Sequence, residues 1–172
     1  MEGVLNKGFS DKVRIISFDL LVLSVIYLIP TFSHLVGFPI YYLDPMRMMV
    51  FLIIIHTNRK NSYIIAATLP LVSFLTSSHP VLLKSLAISV ELTFNVWLFF
   101  ELSKLFKNNF LPAVFSIVLS KGLYYAVKFL LLSAALISSD FITTPLYLQI
   151  ITILLITIYA FVIIPYKNSI KD

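Results

Sequence analysis

Residues 81–106 read VLLKSLAISVELTFNVWLFFELSKLF, an apolar run interrupted in its interior by Lys84, Glu91 and Asn95. A helix needs about 20 predominantly apolar residues to cross roughly 30 Å of hydrocarbon, and this run is long enough. At 3.6 residues per turn, positions 91 and 95 fall within about 20° of Lys84, so the polar groups share one stripe and the rest of the circumference is apolar. A membrane helix with such a stripe turns its ionisable groups toward other helices or a watery cavity.

The whole chain fits that reading. Of its 172 residues, 59% are apolar and 12% charged, against roughly 45–50% and about 25% in an ordinary globular domain. A soluble domain of this length has too little interior for so many apolar side chains, and a chain this apolar is not disordered. The absence of cysteine excludes a disulfide scaffold, a thiolate metal site and a cysteine nucleophile.

Five further runs flank the first, divided by polar or proline-bearing punctuation. The spans expected are 13–36, 41–56, 62–77, 81–106, 110–137 and 145–164, within one all-α, polytopic membrane domain covering 1–172. Asp44-Pro45 and Asn109 with Pro112 read as cap-and-proline helix starts, and Pro70 predicts a kink or break in the third span. The first run is too long for a signal-peptide core and lacks a small-residue cleavage site, so it reads as a retained helix.

Nine of the thirteen cations set the orientation. Lys7, Lys12, Arg14, Arg59, Lys60, Lys104, Lys107, Lys167 and Lys171 all fall on one side of a six-span chain, whereas the opposite loops at 37–42, 76–80 and 138–144 hold no Lys or Arg. Basic loops stay cytoplasmic, which predicts both termini inside a cell membrane crossed six times. The net charge of +5 is then a matter of topology and does not imply nucleic acid.

Four cations remain within or beside the spans: Arg47, Lys84, Lys121 and Lys128. Lys121, Tyr125 and Lys128 repeat on span five the one-sided spacing of Lys84, Glu91 and Asn95 on span four, and Tyr124 flanks them. Consecutive antiparallel spans put Glu91 and Lys121 at similar depth, with Lys84, Lys128 and Arg47 nearer the outer surface. The expectation is an outward-opening cavity rich in cations and lined by Tyr, Asn and Glu, completed by Gln149 and Tyr147. One central acid does not balance several cations, so an anionic or carboxylate-bearing ligand would supply the missing charge. The alternative is structural. Glu91 ties to Lys121, Lys84 and Lys128 snorkel outward, and Arg47 meets Asp44 or a lipid phosphate. Asp19 reads as a structural partner of Lys104 or a neighbouring helix. His34, His56 and His79 sit in separate loops without metal-ligand spacing.

No HExxH, GxSxG, phosphate loop, dinucleotide fingerprint or calcium loop occurs, and the four glycines build no phosphate cradle. The chain is therefore read as neither an enzyme nor a cofactor protein, and as one that works with partners.

The stretch Asp44-Pro-Met-Arg-Met, then Thr57-Asn-Arg-Lys-Asn-Ser with Ala66, Ala67 and Pro70, then His79-Pro and Glu91-Leu-Thr-Phe-Asn95, resembles in layout the substrate-binding S components of energy-coupling factor (ECF) transporters. The resemblance implies capture of a vitamin or other micronutrient at the outer face, by a subunit working with a transmembrane coupling subunit and two ATPase subunits. It places Lys84, Glu91, Asn95, Lys121, Tyr125 and Lys128 in the expected substrate region, and it needs small residues for docking. Ser17 and Ser24 stand in span one where many members carry a small-xxx-small alanine motif, and Ala66 and Ala67 add small-residue packing. In length and hydropathy the chain is also similar to the rod-shape-determining MreD family, which implies a scaffold of cell-wall synthesis with no soluble ligand.

Overall fold

A computed structural model describes residues 2–77, 80–137 and 140–163, with side chains described from residue 10 onward. Every regular element among them is helical: α1 (Glu2–Val36), a 3-10 segment (Ile40–Leu43), α2 (Pro45–His56), α3 (Arg59–Ser77), α4 (Leu82–Leu105), α5 (Phe110–Ser133) and α6 (Leu146–Ile163). Four helical segments are long and apolar enough to cross a membrane: Ser10–Val36 within α1, and α4, α5 and α6. At 1.5 Å per residue, the 12 residues of α2 extend only about 18 Å, short of the roughly 30 Å hydrocarbon layer.

The helix ends follow local chemistry. Asn58 caps α3, its Oδ1 accepting the Asn61 N–H at 2.8 Å. Gly37, at φ 67, stops α1 in the left-handed conformation that glycine adopts without steric cost. At the end of α5, the Ala135 N–H bonds to the Leu132 carbonyl and the Leu136 N–H to the Leu131 carbonyl. That double reversal puts Ala135 at φ 54, and it ends the helix at Ser133, short of the expected 137. An alanine in the usual glycine position hides this stop from a reading by residue type. Helix α3 runs unbroken through Pro70, so of the expected kink or break there is no break.

Helix α4 packs between α3 and α5, while α2 touches α1, α3, α4 and α6. The core joins Val22 and Ile26 of α1, Val50 and Phe51 of α2, Ala66 and Leu69 of α3, Val96 and Phe99 of α4, Ile117 of α5, and Ile156 and Ala160 of α6. Phe51 and Phe99 meet edge to face at a centroid distance of 5.6 Å. On α5 the buried face carries Ala113, Ser116 and Ser120, a small-residue ridge that lets the backbones of α4 and α5 approach closely. Its hydroxyls bond within the helix, Ser116 Oγ to the Ala113 carbonyl and Ser120 Oγ to the Ile117 carbonyl, each at 3.0 Å. Outward, Ile16, Leu20, Tyr27, Phe32 and Leu35 of α1 are exposed, an apolar surface suited to lipid tails.

The end of the bundle that carries the basic loops is tied by polar pairs. Asn61 Nδ2 donates to Asp19 Oδ1 at 2.6 Å, so the partner of Asp19 is a neighbouring helix, while Lys104 turns to Glu101 at 2.9 Å and Arg59 reaches Glu101 at 3.1 Å. His56 lies between the ring of Phe18, stacked at 4.7 Å, and the hydroxyl of Tyr159 at 2.9 Å.

Ala66 is fully buried in the core and is no docking residue in this fold; Ala67 is half-buried, and Ser17 and Ser24 are exposed on α1. Ala66→Leu should therefore overpack the α3 contact and cost about 1–3 kcal/mol. Ser24→Leu should stay within about 0.5 kcal/mol of the native protein. Thermal unfolding in detergent checks both, and equal effects would contradict this packing.

Candidate functional site

At the end of the bundle opposite the basic loops lies a cavity of about 860 Å³, within the roughly 300–1,000 Å³ usual for small-molecule sites. One wall is α1, with Ile26, Ile29 and Pro30; Gly37 to Pro45 close the next side. Ser73 and Ser77 of α3, Lys84, Ile88 and Glu91 of α4, and Lys121, Tyr124 and Tyr125 of α5 follow. Asp140, Thr143 and Thr144, then Gln149, Thr152 and Ile156 of α6, complete the circuit.

Four charged groups form the polar floor. Arg47, in the first turn of α2, is 1% exposed and Glu91 5%. The two are ion-paired through Arg47 Nη2 and Glu91 Oε1. Arg47 Nη1 also donates to the Ile117 carbonyl at 3.3 Å. Asp44 Oδ2 lies 3.2 Å from Arg47 Nε and 3.0 Å from Lys121 Nζ. The Arg47 Nε–H is not aligned on that oxygen as a hydrogen bond, so this contact is electrostatic. Two acids and two cations thus join α2, α4 and α5 in a quartet of zero net charge.

The quartet also accounts for the start of α2. Asp44 occupies the cap position without a well-formed side-chain capping bond, and its carboxylate meets Lys121 and Arg47. Its φ of 49 and ψ of 53 hold a non-glycine residue in the left-handed region, at a cost of about 1–2 kcal/mol that the charge contacts offset.

Above the floor, Gln149 Nε2 donates to Tyr125 Oη and to the Thr144 carbonyl, both at 2.9 Å. Lys128, 1% exposed, donates through Nζ to the carbonyls of Asp140 at 2.7 Å and Phe141 at 2.9 Å. It fastens the segment between α5 and α6 to the bundle.

Of the residues expected to bind substrate, Arg47, Lys84, Glu91, Lys121, Tyr125 and Gln149 line the cavity, and Asn95 and Lys128 do not. Asn95 lies four residues beyond Glu91, about 6 Å deeper along α4, where its Nδ2 donates to Ser120 Oγ at 3.1 Å. Lys128 shares a face with Lys121 but sits about 10 Å further along α5, beneath the carbonyls it holds. A helical stripe fixes azimuth and leaves depth open.

The expected Glu91–Lys121 tie is also replaced. Glu91 takes Arg47, and Lys121 takes Asp44. The estimate of charge changes with it, because the second acid leaves no surplus at the floor. Asp44 stands three residues before Arg47, a spacing that brings the two together in a first helical turn. Tyr41, Tyr42, Ser73, Ser77 and Thr152 also line the cavity; sequence spacing alone did not mark them. Of the histidines, His34 lines the cavity, and His79 lies outside the described residues.

Arg47→Met and Glu91→Gln should each destabilise the protein by about 3–5 kcal/mol, since each leaves the buried quartet with one uncompensated charge. Arg47→Met combined with Glu91→Met should cost about 1–3 kcal/mol less than the sum of the two Met singles. Unfolding in detergent measures the cycle, and strict additivity would contradict the pair. No protein-family model, no curated protein and no solved structure matches this chain.

Proposed function

We propose that the chain is the substrate-binding S component of an ECF-type importer, a six-span protein of the cell membrane with both termini in the cytoplasm. The observation that carries the reading is the 860 Å³ cavity. It opens among loops without Lys or Arg, at the end of the bundle opposite Arg14, Arg59, Lys60, Lys104 and Lys107. By the positive-inside rule that mouth faces outward, where a nutrient arrives. The quartet supplies hydrogen-bonding groups at the floor, and tyrosines and aliphatic residues supply an apolar wall. This is the usual composition of a site for a vitamin-sized molecule.

In this reading α2 and α3 complete the six spans, and the 12-residue α2 sits within the bilayer because its neighbours cover it on several sides. The exposed face of α1 meets lipid, and it carries Ser17 and Ser24 where a coupling subunit would approach closely. Release of the nutrient to the cytoplasm follows movement of the whole subunit within a complex that includes two ATPases.

Co-expression with the coupling subunit and two ATPase subunits of the same cell, followed by gentle purification through a tag on this chain, tests the proposal. The four proteins should elute together in a defined stoichiometry, and Ser17→Leu with Ser24→Leu should weaken the assembly by about tenfold, or roughly 1.4 kcal/mol. Elution with cell-wall synthesis proteins and without ATPases would overturn it in favour of a scaffold.

A further inference from the structure

We propose that the ligand of the cavity is a ring-bearing molecule with a single carboxylate, the carboxylate held by Lys84 and the ring set among the tyrosines. The proposal rests on the reading of the cavity as a substrate site and adds the chemistry of what fills it.

The charges leave one vacancy. Arg47 and Lys121 are balanced by Asp44 and Glu91 within the floor. Lys128 is engaged by two carbonyls and acted on by the nearby charges of Lys84 and Asp140. Lys84 lines the cavity, is half-buried, and has no carboxylate partner among the described residues. Two lysines therefore stand about the upper cavity, Lys84 on its wall and Lys128 behind it on the backbone of the lining residue Asp140, against the one aspartate. One added negative charge completes that balance. A second would reach a floor whose two cations are already paired with Asp44 and Glu91, and would be buried without a partner.

Geometry sets the rest. Lys84 is seven residues from Glu91 on the same stripe of α4, which separates the two by about 10 Å along the axis. A molecule with its carboxylate on Lys84 spans that interval alongside Ile88. The wall there carries two tyrosine pairs, Tyr41 with Tyr42 and Tyr124 with Tyr125, each edge to face at centroid distances of 4.7 and 5.6 Å. Aromatic faces and edges favour a ring between them. Ile26, Ile29 and Ile153 supply an apolar backing. Tyr125 and Gln149, hydrogen-bonded to each other above the floor, complete the polar part of the wall.

Three probes that share one ring system test the proposal: 2-naphthoate, 2-naphthamide and naphthalene-2,6-dicarboxylate, each measured by equilibrium dialysis against the purified protein up to millimolar concentration. The monoacid should bind at least about tenfold more tightly than the amide or the diacid. Lys84→Met should remove that preference over the amide, and Lys84→Arg should restore it. The proposal fails if the monoacid does not bind, if amide or diacid equals it, or if Lys84→Met retains the preference. The probe comparison on the native protein keeps the test decisive should Lys84→Met not fold. Assembly with ATPases is read separately, so loss of the ligand chemistry and loss of the transporter role are distinguishable outcomes.

Discussion

Charges placed inside an apolar helical bundle must be matched there, and the match made by Asp44, Arg47, Glu91 and Lys121 organises this protein. Placing a single Arg or Lys at the centre of a membrane helix costs roughly 2.5–3.5 kcal/mol on insertion scales. The quartet brings two such cations together with two acids, and it does so across three helices. That requirement bears on where α2 begins, with Asp44 at its cap in a left-handed backbone and its carboxylate on Lys121 and Arg47, and on how α4 and α5 face each other at the cavity floor. Replacing the quartet with apolar residues of similar volume could leave the fold equally stable. Its value lies in placing polar groups at one depth and one azimuth, open to a cavity.

Packing around the quartet uses means suited to a solvent of lipid tails. Apolar burial distinguishes poorly between protein and lipid, so close backbone approach and hydrogen bonds between helices carry more of the association. The ridge of Ala113, Ser116 and Ser120 and the bond from Asn95 to Ser120 do this between α4 and α5. Asp19 with Asn61 does it between α1 and α3. The cavity opens at the other end, lined by residues of α1, α4, α5 and α6 and by tyrosines.

Much of this was legible in residue order. Helical content, the positions of α2, α4 and α6 to within a few residues, and six of the eight residues expected at the cavity wall follow from apolar runs and a 3.6-residue period. What periodicity does not carry is pairing between distant segments. Glu91 and Lys121 share a depth, yet Arg47 enters from α2 and takes Glu91, and Asp44 reaches Lys121 from outside any helix. Depth along a stripe is likewise silent about where a cavity ends, which is why Asn95 and Lys128 lie outside it. Ala66 looked available for docking because small residues serve internal packing and external contact alike.

The proposed function requires above all that the polar floor be reached from outside the cell through one mouth. The chain has no cysteine, so single cysteines can be introduced without background and probed in intact cells with a membrane-impermeant maleimide. Thr144→Cys at the mouth should be labelled from outside, and Asn108→Cys, between α4 and α5 at the opposite end, should react only after the cells are opened. Labelling of Asn108→Cys in intact cells with Thr144→Cys protected would contradict the account.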